Sequence, residues 1–361
     1  MKKSFIFGAA LMLAGAFGLQ SCSQETNAGS AGSPTMDEAT YDAQTLTFKA
    51  FIEKHAVDGV VTLPASAVFT MEEAIEFTEP LTITTDAKKP ATIIAKAGFV
   101  VSKNFALENV NIDATELENN LVALPSTAAD PTNKIEKIVF DNVIVKGLGK
   151  ALFYSAAKGN LIADFTINNS VIEVAKDITA IDFTKGSSAA NINVTNSTIY
   201  CSATSSKSMY SSQSGQKITE LDTSGIQTFK FANNTIYNWA VAKNFFSHRQ
   251  SNQKWLAYDV QGNIFVNCGK NGQVIKGMNG GQGGANPTWT IKGNVFNCDY
   301  DGQGNPLESR QDTSASETTG DNDEPVQESI AVVIAFADAE KGDFTQTQTT
   351  AGDPRWIANA Q

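Results

Sequence analysis

Apolar and polar residues alternate with period two in seven stretches: "FALENVNID", "IVFDNVIV", "FTINNSVIEV", "INVTNSTIY", "FKFANNTIYNW", "YDVQGNIFVNC" and "WTIKGNVFNCD". Such alternation predicts short β-strands with one buried face. All seven break in the same way. An apolar residue (Leu107, Phe140, Ile167, Val194, Phe231, Val260, Ile291) is followed two positions later by Asn109, Asn142, Asn169, Asn196, Asn233, Gly262 or Gly293. Three residues further on stands Ile112, Val145, Ile172, Ile199, Ile236, Phe265 or Phe296. An unbroken strand would put apolar residues five apart on opposite faces, so the chain must bend between them. Asn and Gly enter the left-handed backbone region most cheaply, where other residues pay about 1–2 kcal/mol. The column therefore reads as a row of corners.

The corners recur every 27 to 37 residues. A fixed unit with variable loops, each copy too small to bury its own apolar face, is the signature of a solenoid. Two or three short strands per turn, with no room for a helix, make it an all-β coiled parallel sheet, a single-stranded parallel β-helix. Stacking would also place the corner amides one above another, as a ladder satisfying backbone groups at the bend.

The ends break this pattern. In "LTFKAFIEKHA", residues 46–56, Phe48, Phe51, Ile52 and His55 fall at helical spacing. This predicts a short amphipathic helix inside an N-terminal cap over residues 41–58, with His55 a structural member of its face. "GVVTLP", "PLTITT" and "ATIIAK" predict strands of irregular first coils. Residues 200–228 and 297–329 read as long surface loops, "SIAVVIAF" as a buried strand, and 337–361 as a C-terminal cap. The β-helix domain thus spans 41–361.

The first residues have two lysines, an apolar run from Phe5 to Leu19 and a small Ser21 before Cys22. That run is too short for a mature membrane span and reads as an export signal over residues 1–21. Residues 22–40, polar and rich in Gly, Ser and Ala, read as a flexible tether. The net charge of −11 makes nucleic acid an improbable partner, because phosphate binding needs a basic footprint. Cys201, Cys268 and Cys298 all fall in the strand register. They read as buried free thiols without a disulfide framework.

The "NNTIYN" and "GNIFVNC" corners and the closing "GDFTQTQTTAGDPRW" resemble the pectate-lyase-like right-handed parallel β-helix lipoproteins of Gram-negative gut-type bacteria. The resemblance covers most of residues 41–361. It implies a right-handed helix in domain families mostly without assigned function, whose characterised members bind or cleave polysaccharide in a groove along one sheet. "LQSC" is similar to a lipobox, implying acylation of Cys22 and an outer-membrane or cell-surface lipoprotein of the cell envelope. The Asn-Thr-Asp, Asp-Asp, Gly-His-Gly and Arg-Ile-Lys signatures of the hydrolase branch do not occur. No calcium-plus-arginine pattern of pectate lyases is present either, so no catalytic residue carries over.

The densest chemistry lies in "NWAVAKNFFSHRQSNQKW", residues 238–255. Cleaving a uronic-acid polymer by β-elimination needs a cation at the carboxylate and a base for the adjacent carbon-bound proton. Arg249 or Lys254 would fill the first role and His248 or Lys243 the second, with Trp239 and Trp255 stacking on sugar faces. The competing reading is a solvated loop whose tryptophans pack against the coils. Asp299, Asp301 and Asn305 in "DYDGQGN" offer oxygen ligands to calcium, although the full twelve-residue loop is missing. The glycine-rich "GMNGGQGGANP" lacks the Lys-Ser or Lys-Thr of a phosphate loop. Three functions stay open: a monomeric surface glycan-binding protein, a polysaccharide lyase, and a structural or adhesive solenoid.

Overall fold

The computed structural model describes residues 37–126, 134–155, 161–183, 188–212, 228–241, 243, 245–248, 257–269, 274–275, 288–297, 329–330 and 332–358. Its compact unit begins at Glu38. The architecture is a right-handed parallel β-helix in which successive coils each add one strand to three parallel sheets. Sheet one has nine described strands, from Val60–Thr62 to Thr288–Lys292, and sheet two has nine, from Val68–Met71 to Val295–Asn297. Sheet three has seven, from Ile75–Phe77 to Phe246–His248. Within each sheet, strands neighbour their counterparts one coil away.

The predicted corner column is continuous. All seven residues have positive φ, from 48° at Asn169 to 64° at Gly293. Leu107, Phe140, Ile167, Val194, Phe231, Val260 and Ile291 pair in series along sheet one, and Ile112 through Phe296 do the same along sheet two. Each of these fourteen side chains is at most 2% exposed. The bend therefore turns both apolar residues inward, where Phe231, Phe265 and Phe296 stack with ring centroids 6.0 and 5.4 Å apart.

The ladder lies partly elsewhere than predicted. Corner amides do pair on the surface, Asn142 Nδ2 donating to Asn109 Oδ1 at 2.8 Å. The groups that satisfy the buried backbone belong to the next residue: Ser170, Ser197, Asn234, Asn263 and Asn294, all fully buried. Asn234 Oδ1 accepts from the Ser197 N–H at 3.0 Å, and Asn263 Oδ1 accepts from the Asn234 N–H at 2.9 Å. The corner side chain points outward, whereas the side chain after it points into the bend.

At the N-terminal end the cap is built from two helices. Helix α1 (Glu38–Thr45) begins inside the segment predicted as tether, and helix α2 (Phe48–His55) is the predicted amphipathic one. Thr47 caps α2 by accepting from the Ala50 N–H. Phe48 and Phe51 lie on Phe69 of the first coil at 5.0 and 4.8 Å, which closes the open end of the core. His55 stacks on Phe51 and its Nε2 meets Asp42 Oδ2 at 2.7 Å, so its role is structural.

The C-terminal segment departs from expectation. Instead of crossing the last coil as a cap, it starts there and runs back along the outside of sheet two as a strap. The Ile330 N–H donates to Asn294 O and the Ile334 N–H to Asn297 Oδ1. Further back, the Gly352 N–H donates to Gly262 O at 2.7 Å and the Asp353 N–H to Thr235 Oγ1 at 3.0 Å. Arg355 Nη2 then donates to Asn169 O at 2.6 Å. "SIAVVIAF" therefore supplies strap rather than a sheet strand, with Ile334 buried and Val333 exposed. The Ser-rich loop also hides a sheet-three strand, Tyr210–Ser212.

Candidate functional site

Outer faces differ between the sheets. The strap covers sheet two from the Val295 coil back to the Thr198 coil, through Phe344 against Tyr200 and Tyr237 and through Trp356 Nε1 donating to Thr198 Oγ1. Sheet one presents ladders of polar side chains bonded to one another, such as Asn168 Nδ2 to Asp141 Oδ1 and Asn191 Nδ2 to Asp164 Oδ1. Sheet three carries one of the described depressions; others lie beside the N-terminal helices at Phe48 and Phe69 and on sheet two at Asn111 and Ile144.

Each sheet-three strand has three residues, so only its middle residue faces outward. In coil order these are Glu76, Val100, Ala123, Tyr154, Asp182, Ser211 and Ser247, aligned by backbone pairing, but Ser211 and Ser247 are buried, so the exposed part of the face ends at Asp182. Small side chains at Val100 and Ala123 leave a depression of about 310 Å3, with Tyr154 at one end and Asn119 and Asn120 at its rim. Gly98 makes this shape possible, since a Cβ there would meet the Asn120 carbonyl oxygen at 1.9 Å. An amphipathic phenol beside amides over a shallow floor of small residues suits a flat, hydroxyl-rich ligand.

The turns from sheet two into sheet three form one rim of this face. In the first three coils the rim is acidic, with Glu72, Glu73, Glu116 and Glu118, and Lys96 is bonded to Glu72 at 2.9 Å. In the next four coils it carries Lys150, Lys176, Lys207 and Lys243, one in each turn. Lys150, Lys207 and Lys243 each stand three residues before their sheet-three strand. Asp177 shapes this rim: it accepts from the Ser206 N–H and hydroxyl, the Lys207 N–H and the Ser205 hydroxyl. The Ser206 hydroxyl bond is foremost in holding its carboxyl below the ordinary value.

The predicted elimination site is only partly described. Trp239 is 0% exposed, inside the core at the end of sheet-two strand Thr235–Trp239, so it cannot stack on a sugar. Lys243 is exposed in the turn before the strand Phe246–His248, and His248 ends that strand, paired with Ser212. Lys243 and His248 thus flank sheet three from opposite edges. Arg249, Lys254, Trp255, Asp299, Asp301, Asn305, Cys298 and Cys22 lie outside the described residues. Among the described residues, no group of three or more His, Cys, Asp and Glu side chains is arranged to hold a metal ion.

Sequence reasoning passed over Tyr154 and the lysines at 150, 176 and 207. A signal existed: in "LFYSA" the alternation buries Phe153 and turns Tyr154 outward.

Residues 67–202 match the family model described as a domain of unknown function, DUF4957. That stretch runs from the first coil to the end of the sheet-two strand Thr198–Cys201 and includes the Tyr154 depression. No curated protein matches the chain.

Proposed function

We propose that the protein binds polysaccharide along the outer face of sheet three, tethered to the cell envelope through a lipid on Cys22. The observation that carries this reading is the Tyr154 depression: an aromatic ring and two amides beside a floor of small side chains, on a face the strap leaves open. A parallel β-helix also spaces its outward residues every ~4.8 Å, which sets a regular series of contact positions along a linear polymer. The predicted cations Arg249 and Lys254 lie outside the described residues, and Lys243 and His248 stand on opposite edges of sheet three, so binding rather than elimination is the function proposed.

The test is equilibrium binding of the mature chain to a panel of soluble polysaccharides, with ultraviolet absorbance of unsaturated products recorded alongside. Tyr154→Ala should weaken binding about tenfold, the worth of one stacked ring. An unchanged affinity in a variant that melts like the parent would remove the site. Release of unsaturated products would replace binding by lyase activity.

A further inference from the structure

We propose that the first strand of sheet two, Val68–Met71, is a docking edge that takes an extended, basic segment of a partner protein as an added β-strand. This edge lies apart from the sheet-three face and does not depend on glycan binding.

Later strands of sheet two enter the ladder in one way. The first residue donates its N–H to the carbonyl just before the strand one coil earlier, as Thr92 does to Ala67 O, Asn111 to Ala91 O and Val295 to Asn263 O. The two ends of the sheet then differ. After the last strand, the Ile330 N–H donates to Asn294 O at 2.8 Å, the bond a further coil would make. The Ile334 N–H and Val332 O bond to the Asn297 amide, so the chain's own strap occupies that edge. Val68 heads the first strand, and no coil of sheet two precedes it. Thr92 and Lys96 donate to Ala67 O and Met71 O, so the backbone groups of Val68 and Thr70 point to the opposite side.

A groove lies beside this strand. It encloses about 460 Å3 and is lined by Leu46, Thr47 and Lys49 of the cap and by Val68, Glu72 and Glu73 of the first coil. Val68 is 50% exposed there. An open ladder edge next to a groove lets main-chain bonds supply affinity and side-chain holes supply specificity.

Charge selects the occupant. Glu72, Glu73, Glu76 and Glu79 follow the strand, all exposed, and Lys49 is the one cation among the lining residues. A segment with Lys or Arg beside its paired residues complements this rim. Two copies meeting through this edge would press two such acidic sets into one interface, and head-to-tail stacking is stopped by the strap. The chain's own residues 22–36 contain neither Lys nor Arg, and Thr26 and Thr35 are their only β-branched residues, which makes them poor strand material.

The test titrates the mature chain with synthetic peptides of alternating Val and Thr. One ends in two lysines, one in two glutamates, and one is the lysine peptide N-methylated along its backbone. In the free chain the Val68 and Thr70 amides should exchange rapidly while Phe69 and Met71, turned toward the next strand, are protected. The lysine peptide should protect Val68 and Thr70. The glutamate and N-methylated peptides should each bind about tenfold more weakly or worse. Val68→Pro deletes one outward N–H at a strand-initial position that accepts proline, and should weaken the lysine peptide about tenfold. Should that variant melt early, Glu73→Lys on the exposed rim carries the test through charge, with the same direction expected. Protection of Val68 and Thr70 without peptide would mean that the tether or a second copy fills the groove, and overturns the proposal. A lysine peptide that leaves these amides exchanging, or binds no tighter than its N-methylated form, overturns it as well.

Discussion

Asn263 accepts two hydrogen bonds from Asn234 through one oxygen, its Oδ1 lying 2.9 Å from the backbone nitrogen and 3.0 Å from Nδ2. Its own Nδ2 donates to Phe231 O at 2.8 Å and to Asn294 Oδ1 at 2.9 Å. One buried amide thus ties three coils together. Asn263→Ala strands the Asn234 N–H and the Phe231 carbonyl in a dry bend, while the Asn234 Nδ2 keeps its bond to Val194 O at 2.8 Å, and each stranded group costs about 1–3 kcal/mol. A lowered urea midpoint, with a loss of about 3 kcal/mol or more, is expected. A midpoint within experimental error of the parent would remove the ladder from the account of stability.

The corner column was legible in sequence because a left-handed bend restricts residue type, and that restriction repeats. The buried ladder one position later was legible in principle, since Ser170, Ser197, Asn234, Asn263 and Asn294 interrupt apolar surroundings in register. It was missed because Val110 and Val143 occupy the same position in earlier coils, so no single residue type fills the column. The strap left no periodic trace: Asp353 finds Thr235 across 118 residues and Trp356 finds Thr198 across 158. Trp239 was misplaced because neighbouring Lys and His drew attention to chemistry, while the strand pattern had already assigned it to the core. Three-residue sheet-three strands are too short to show a period, which hid Tyr154 among its neighbours.

At the corners, Gly262→Ala and Asn142→Ala both force a non-Gly, non-Asn residue to positive φ, at 63° and 52°. Each should cost about 1–2 kcal/mol. Gly262→Ala carries an added clash, since its Cβ would sit 2.5 Å from Asn233 Oδ1. Asn142→Gly keeps the bend and loses only the exposed bond to Asn109, so less than about 1 kcal/mol is expected. Denaturant titrations in which the alanine and glycine variants coincide would contradict the corner assignment.

The strap should tighten in mild acid. Burial raises the carboxyl of Asp353 above its unfolded value of 3.8, against the favourable pull of Arg355. Between 3.8 and its folded value the native state binds more protons than the unfolded state. Stability therefore falls as pH rises through that window, and the gain is complete below it. Hydrogen exchange of amides in residues 344–356 should slow as pH drops from ~7 through that window, after correction for intrinsic rates. Asp353→Asn, neutral at every pH, should remove the dependence. Exchange that speeds up in the parent would reverse the sign of the argument.

The N-terminal cap should respond in the opposite direction. Asp42 is held below its ordinary value, first by its hydrogen bond from Lys54 and also by that from His55, against the opposing effect of burial. A lowered carboxylate stabilises the fold above its unfolded value of 3.8, and that contribution disappears as pH falls through the folded value. Exchange protection in α1, α2 and the strand Val68–Met71 should therefore be lost in acid before that of the central coils. Asp42→Asn should show the looser cap already at neutral pH. Equal protection of cap and centre throughout the acid titration would mean the ion cluster does not hold the helices.

The thiols give a test of core packing that is independent of the strap and the cap. Burial pushes Cys268 up to about 12, and its Sγ donates to Val266 O at 3.2 Å. Cys201 is likewise raised by burial, with its Sγ 3.8 Å from Lys176 O. Reaction with a disulfide reagent needs both thiolate and access, and neither site provides them in the native state. Peptide mapping after labelling at pH ~8 should find both cysteines unmodified, and both modified once urea unfolds the coils. Because Cys268 pairs in register with Trp239 on the preceding coil, native labelling of Cys268 would show that the wall around that tryptophan opens. Such opening would return Trp239 to the set of rings able to meet a sugar.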